Sequence, residues 1–176
     1  MKDKKVLGGG AVLFVALFWF FIKPNYLDAK VVVPPTEAEI AAAPRPTLVI
    51  DQSITAEGHE SGGAHEGLVL NLKAPTSAPS YAKVVIVLEF ADPEHHYVGL
   101  NAAAVSAKNV AFAEELKPQV HRILDTVTTV FAARTIDQVA TNEGKAKLKE
   151  ELMEAINEEL HHEKVEDIYF ETFVTQ

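Results

Sequence analysis

The stretch "YAKVVIVLEF", residues 81–90, decides the fold. It is rich in aromatic and β-branched residues, which is typical of a β-strand. Because alternate side chains of a strand point to opposite faces, one face is wholly apolar: Ala82, Val84, Ile86, Leu88 and Phe90. The other face is apolar in its middle and carries Lys83 and Glu89 near its ends. The pattern predicts a central strand that is partly covered on both sides.

Three other stretches have strand character. They are "LVLNLK" at residues 68–73, the short "TLVIDQSI" at 47–54 and "KVEDIYFETFVTQ" at 164–176. The last is too apolar for a frayed terminus. Two alternatives remain open for it: both of its faces are buried within the monomer, or it packs Ile168 and Phe170 into the core and leaves Phe173 or Tyr169 on the other face for association.

Helical patterns fill the region between these strands. Residues 101–117 are alanine-rich and predict a first helix, and Pro118 is placed to open a second one. An apolar stripe at spacings of three and four follows it: Val120, Ile123, Leu124, Val127, Val130 and Phe131. We expect Arg134 to close this helix, where a cation interacts favourably with the helix dipole.

A further amphipathic helix precedes the last strand. Thr135 and Gln138 resemble a capping box, and Thr141 has the position of a helix cap. Four apolar residues then recur at steps of four: Leu148, Leu152, Ile156 and Leu160. Lys147 and Glu151 form an expected i,i+4 pair on the solvent side. The order strand, strand, helices, strand predicts an α+β domain at residues 67–176, with a largely antiparallel sheet and helices packed on one face.

The N-terminal region predicts a single transmembrane helix at residues 6–22, which carry no charge and would span about 25 Å. Lysines among residues 1–5 place that tail in the cytoplasm, and the Pro- and Gly-rich residues 23–66 form a linker on the far side. A cleaved signal peptide is the alternative, but "FIKPNYLDAK" lacks small residues at a cleavage site. The anchoring residues are Val6, Leu7, Val12, Leu13, Phe14, Leu17, Phe18, Trp19, Phe20, Phe21 and Ile22.

Charge and composition exclude several classes of function. The net charge of −9 disfavours nucleic-acid binding, and the absence of cysteine removes thiol chemistry. Two histidine clusters, 94–96 and 161–163, consist of adjacent residues that diverge, so we expect solvated loops rather than a metal site. No nucleophile elbow or phosphate-binding glycine loop is present. The sequence predicts no catalytic, cofactor or metal residues and no enzyme activity.

Two pairs of motifs resemble a known family. They are "TNEGKAKLKEELMEAINEEL" ahead of the terminal "VEDIYFETFVTQ", and "YAKVVIVLEF" followed by a Pro-initiated helix ending in "FAARTIDQVA". Together they resemble the flagellar basal body-associated protein FliL. The matching residues are Lys83, Glu89, Thr141, Gly144, Lys145, Glu151, Asn157, Phe170, Phe173, Val174 and Gln176. The resemblance assigns them to fold and assembly, and residues 91–117 are longer than the usual join.

The resemblance implies a single-pass inner-membrane protein of the bacterial flagellar basal body, with a periplasmic domain similar to the stomatin-type (SPFH) fold. It implies a ring-like homo-oligomer that associates with the stator proteins MotA and MotB. Such a protein supports flagellar rotation, torque, motility, chemotaxis and swarming, and needs no cofactor. The alternative function is a membrane-anchored periplasmic adaptor of a non-flagellar envelope or transport complex.

Overall fold

The computed structural model describes residues 34–55, 65–74 and 79–176. Its helices are α1 (Glu37–Ala42), α2 (Ala102–Leu116), α3 (Val120–Ala132), α4 (Ile136–Ala140) and α5 (Asn142–Glu159). Its strands are β1 (Thr47–Ile50), β2 (Leu68–Leu72), β3 (Ser80–Phe90) and β4 (Val165–Thr175), and a 3₁₀ turn (Gln52–Thr55) follows β1. The α+β class and the predicted order of strands and helices are confirmed.

The sheet is antiparallel and is built around β3. On one side of β3, β1 pairs with residues 86–89 and β2 pairs with residues 80–84. On the other side β4 pairs along nearly the whole length of β3. The central position predicted for residues 81–90 is therefore confirmed, and the short strand predicted in "TLVIDQSI" is part of the same sheet.

One hydrophobic core joins the sheet to the helices. The even-numbered side chains of β3 from Ala82 to Phe90 are at most 1% exposed. They share a cluster with Leu116 of α2, Ile123 and Phe131 of α3, and Leu148 and Leu152 of α5. The apolar stripes predicted for the helices that the structure places at α3 and α5 both face this cluster.

A β-bulge in β4 changes which side chains point into the core. Val85 pairs with Thr172 and Ile86 pairs with Phe170, so Glu171 is an extra residue without a partner across the ladder. The bulge shifts the alternation by one residue, and Phe173 lies opposite Val84 on the core face. Of the two residues considered for the opposite face, only Tyr169 lies there, and it is 42% exposed. Burial of both faces within the monomer is therefore wrong.

Two details of the third helix differ from expectation. Pro118 lies in the turn between α2 and α3, and the helix begins at Val120. Arg134 lies beyond the end of α3 and forms an ion pair with Glu151 of α5. A partner distant in sequence thus replaces the expected helix-dipole contact of Arg134, and Glu151 pairs with Arg134 rather than with Lys147.

The predicted anchor at residues 6–22 lies outside the described residues. Within residues 34–55, 65–74 and 79–176, no helix is both long and apolar enough to span a bilayer. The boundaries drawn for the tail, span, linker and domain stay predictions.

A buried carboxylate ties the end of β1 to the segment before β2. Asp51 is 1% exposed; its Oδ1 accepts hydrogen bonds from the amide and the hydroxyl of Ser53, and its Oδ2 lies 2.7 Å from His65 Nδ1. Burial raises the pKa of Asp51, but the hydrogen bonds from Ser53 and His65 outweigh it, so that the pKa is lowered overall. The carboxylate is therefore held in its charged form.

We expect this carboxylate to make the fold acid-sensitive. Because the pKa of Asp51 is lower in the folded chain, its stabilising contribution is present above the unfolded value of 3.8 and is lost as pH falls through the folded value. Asp51→Asn should lower the free energy of unfolding at pH 7 by about 1–3 kcal/mol and weaken its dependence on pH in the acid range. Urea unfolding at pH 7 and at about pH 3 measures both effects. Asp125→Asn, an exposed position on α3, is the control; equal pH dependence of the two variants would contradict the assignment.

Candidate interaction surface

The start of α5 is fixed by a close backbone contact that requires glycine. Thr141 caps the helix, and its hydroxyl accepts a hydrogen bond from the Gly144 amide at 3.0 Å. A Cβ added at Gly144 would lie 1.8 Å from the carbonyl oxygen of Gln138 in α4. The Thr-Asn-Glu-Gly motif therefore packs α4 directly against the first turn of α5.

The far end of α5 holds the start of β4. The Asn157 side chain accepts a hydrogen bond from the Val165 amide at 2.8 Å and donates one to the Val165 carbonyl at 3.0 Å. At the other end of β4, Gln176 and Tyr81 exchange two backbone hydrogen bonds of 2.9 Å. The last strand is thus anchored at both ends, which explains why so apolar a C-terminal segment is ordered.

Lysines of α5 lie over the aromatic rings of β4. The Lys145 ammonium is 4.8 Å from the centroid of Phe173, and Phe173 packs beside Phe170 and Phe131. The Lys149 ammonium is 5.2 Å from the Tyr169 centroid and 5.7 Å from that of Phe170. Since Tyr169 and Phe170 point to opposite faces of the sheet, Lys149 lies at the outer edge of β4. These cation–π contacts fix the edge to the helix.

The face of the sheet opposite the core carries exposed apolar side chains in cross-strand rows. Val69, Lys83 and Val174 form one row, and Val69 and Val174 are 61% and 58% exposed. Val49, Val87 and Tyr169 form a second row. We call the set Val69, Val174 and Tyr169 the outer-face patch. These three side chains lie on one face, with Lys83 between Val69 and Val174 and with Tyr169 in the second row.

One end of this face is charged. Arg45 lies 3.5 Å from Glu89 and forms a second ion pair with Glu166.

The eleven motif residues fall into two groups according to where the structure places them. The first group holds α5 to its neighbours and fixes β4: Thr141, Gly144, Lys145, Glu151, Asn157, Phe170, Phe173 and Gln176. The second group lies on the outer face: Lys83, Glu89 and Val174.

The outer edge of β4 has no strand partner among the described residues, because β4 pairs with β3 alone. Unpaired edges promote association unless they are protected. Here the bulge at Glu171 and the ammonium of Lys149 interrupt the edge, and Glu166, Asp167 and Glu171 are exposed. The edge is therefore unpaired in the described part of the chain but carries charged groups along its length.

The two histidine clusters meet at one cavity, although they are more than sixty residues apart in sequence. Glu94 and His96 from one cluster line it together with His162 and Glu163 from the other. His96 Nε2 lies 3.1 Å from Glu94. Within the described ranges no three His, Asp or Glu side chains are arranged to hold a metal ion.

Sequence reasoning missed Val69 and Arg45 as residues of the outer face. Val69 lies in a five-residue strand whose burial alternates. The sequence pattern could therefore predict which face Val69 is on, but not how exposed that face is. Arg45 reaches Glu166 across more than one hundred residues of sequence, and no local pattern signals such a pair.

Comparison with known proteins identifies the region that holds β2 to β4. Residues 64–176 match the family described as "Flagellar basal body-associated protein FliL". A relative named "Flagellar protein FliL" from Aquifex aeolicus (strain VF5) is 26% identical over 110 residues, which cover 59% of this chain and 68% of the relative. All eleven motif residues named above lie inside the matched region.

We predict that Gly144→Ala destabilises the chain by more than about 2 kcal/mol, because the added methyl group collides with backbone rather than with a movable side chain. Chemical denaturation measures the change. Glu143→Ala, an exposed neighbour in the same helical turn, should change stability by less than about 1 kcal/mol. Similar losses for the two variants would contradict a specific backbone contact.

Asn157→Ala should free the start of β4. Removing the amide leaves the Val165 amide and carbonyl without their side-chain partner, which costs about 1–3 kcal/mol. In the variant, hydrogen exchange at the Val165 amide should be faster than in the native chain, and faster than at amides in the centre of β3. Asn142→Ala, at an exposed position on the same helix, is the control. Unchanged exchange at the Val165 amide in Asn157→Ala would contradict the claim that the Asn157 side chain holds the start of β4.

Proposed function

Because the chain belongs to the family of the flagellar basal body-associated protein FliL, we propose that it binds the stator of the flagellar motor and supports rotation. Its partners in this proposal are MotA and MotB, and its effects are on torque, motility, chemotaxis and swarming. The role is one of binding and bracing and involves no catalysis. The observation that supports this proposal is the pair of exposed apolar side chains on the outer face of β4, a strand that the motif residues hold in position.

The proposal includes a membrane anchor. Residues 6–22 carry no charge and follow a lysine-rich start, which supports a single-pass helix in the inner membrane with a cytoplasmic N-terminus. The domain would then lie in the periplasm, joined by a Pro- and Gly-rich linker. An antiparallel sheet covered by helices on its core face is compatible with the SPFH-like fold that the resemblance implies.

The outer-face patch is suited to a protein partner. Val69, Val174 and Tyr169 are three large apolar side chains exposed on one face, between 42% and 61%. Burying an exposed apolar side chain of this size contributes about 1.5–3 kcal/mol. Lys83 lies between Val69 and Val174 in their row and Glu89 lies toward one end of the same face, so a partner would meet apolar and charged side chains next to each other.

Charge at the β4 edge favours a head-to-tail assembly of copies of this chain. Two β4 edges placed against each other would bring Glu166, Asp167 and Glu171 of one copy near the same carboxylates of the other. Like charges on facing strands destabilise pairing. A copy would therefore present a different surface to this edge, and such heterologous contacts close into rings when the rotation allows it.

A membrane-anchored adaptor of a non-flagellar complex is the competing function. It predicts the same anchor and the same exposed patch but different partners. Purification of the chain from flagellated cells distinguishes the two, because only the flagellar role predicts co-purification of MotA and MotB.

We expect Val174→Ser to weaken assembly and motility while leaving the fold intact. Val174 is exposed, so its replacement should change the free energy of unfolding by less than about 1 kcal/mol. The assembly mass of the full chain, the recovery of MotA and MotB, and the swimming-zone diameter of a complemented deletion strain should all fall. Val110→Ser, an equivalent loss at a 39% exposed valine of α2, is the matched control.

Normal assembly, partner recovery and swimming in the Val174→Ser strain would contradict the proposed surface. Reduced assembly with other partners recovered in place of MotA and MotB would support the adaptor instead.

A further inference from the structure

A cavity of about 760 Å³ lies outside the outer face and the β4 edge. Its walls are the loop that follows β3, the side of α2 and the loop that precedes β4. The loop after β3 is held in shape by Asp92, whose carboxylate accepts hydrogen bonds from the amides of His96 at 3.0 Å and Tyr97 at 2.9 Å. The cavity is thus formed by residues 91–117, the segment that is longer than the family's usual join, and by the loop before β4.

The lining is aromatic and contains a buried phenol. Phe90 and Phe112 meet edge to face with their centroids 4.9 Å apart. Tyr97 is 4% exposed, and its hydroxyl forms no hydrogen bond with any residue in the described part of the chain. Buried tyrosine hydroxyls usually have a partner. Tyr97 lines the cavity, and a ligand there can provide a partner for its hydroxyl.

The walls carry more negative than positive groups. Four carboxylates line the cavity, those of Asp92, Glu94, Glu115 and Glu163, against the two ammonium groups of Lys108 and Lys164. The pKa of Tyr97 is raised by burial and then by the charges of Asp92 and Glu115. The phenol therefore stays neutral, in a region of negative potential.

The chain already places a cation in this environment. The Lys108 ammonium lies 5.4 Å from the centroid of the Tyr97 ring, within the range of a cation–π contact. Lys108 is only partly buried and extends from α2 on a flexible stem, so a cation that binds more strongly can displace it. The contact places a positive charge on the Tyr97 ring at the wall of the cavity.

We propose that this cavity binds the guanidinium group of an arginine side chain from a polypeptide partner. A guanidinium is flat enough to stack on an aromatic ring, has five N–H donors for carboxylates, and is more weakly hydrated than an ammonium. Glu115 and Glu163 are the carboxylates that receive it, because Asp92 is engaged by the loop and Glu94 lies against His96. One oxygen of Glu163 accepts a 3.4 Å hydrogen bond from Gln119, which leaves its other oxygen for the ligand. The Tyr97 hydroxyl, which accepts as well as donates, completes the set.

The site differs from the proposed stator surface in residues and in ligand chemistry, and it does not rest on the flagellar role. Loss of binding here would leave assembly through Val174 unaffected. Failure of the motility experiment would likewise leave the cavity and its charges unchanged.

The test is a calorimetric titration of the full chain, in neutral detergent, with the peptide acetyl-Gly-Arg-Gly-amide. The matched ligand contains citrulline, which has nearly the same shape as arginine but no charge. We expect the arginine peptide to bind at least about tenfold more tightly than the citrulline peptide. Its affinity should also fall as salt is added, because part of the attraction is screened.

Two variants of the lining should shift the affinity in opposite directions. Glu115→Gln removes one receiving carboxylate and should weaken binding about fivefold, whereas Lys108→Met removes the internal cation and should tighten it by a similar factor. Glu150→Gln and Lys147→Met make the same charge changes at exposed positions of α5 outside the cavity and should leave the affinity unchanged. Both cavity positions lie on the surface of α2, so the variants are expected to fold.

Three results would overturn the proposal. They are no binding of the arginine peptide to either the native chain or Lys108→Met, equal affinity for the citrulline peptide, and shifts in the control variants as large as those in the cavity variants.

Discussion

The pairing of β3 on both of its sides is the constraint on which the rest of the structure depends. Every other strand in the described part of the sheet hydrogen-bonds to β3, with β1 and β2 sharing one side and β4 occupying the other. Its even-numbered side chains are almost completely buried and each contributes on the order of 1.5–3 kcal/mol when apolar and large. Because β3 has no free edge along most of its length, the sheet can only be extended at its outer strands, and the alternation of β3 decides which side chains of β4 remain exposed.

Local periodicity made much of this fold predictable. The alternation of residues 81–90, the four-residue steps from Leu148 to Ile156 and the cap at Thr141 each depend on neighbours within one element, and all three are present. What the sequence did not reveal depends on contacts between distant residues. The bulge at Glu171 places Phe173 on the core face, Arg134 pairs with Glu151, and the two histidine clusters share one cavity. No window of neighbouring residues carries the information for these contacts.

The motif residues combine two physical roles that their sequence pattern does not separate. Gly144, Asn157 and Lys145 hold α5 to its neighbours through a backbone approach, a pair of hydrogen bonds and a cation–π contact. They fix β4 so that Val174 and Tyr169 are presented on the outer face at a defined spacing. Rigid presentation lowers the entropic cost of association. In the proposed assembly the interior motif residues act indirectly, by holding the strand that carries the exposed ones.

Photo-crosslinking in flagellated cells tests the central claim most directly. The chain would carry a photoreactive phenylalanine derivative at position 174, on the outer face, or at position 110, an exposed site on α2. The account predicts adducts at position 174 with a second copy of the chain or with a stator protein, and none at position 110. Absence of adducts at 174, or the same adducts at both positions, would contradict the claim that the outer face is the surface through which this protein joins the motor.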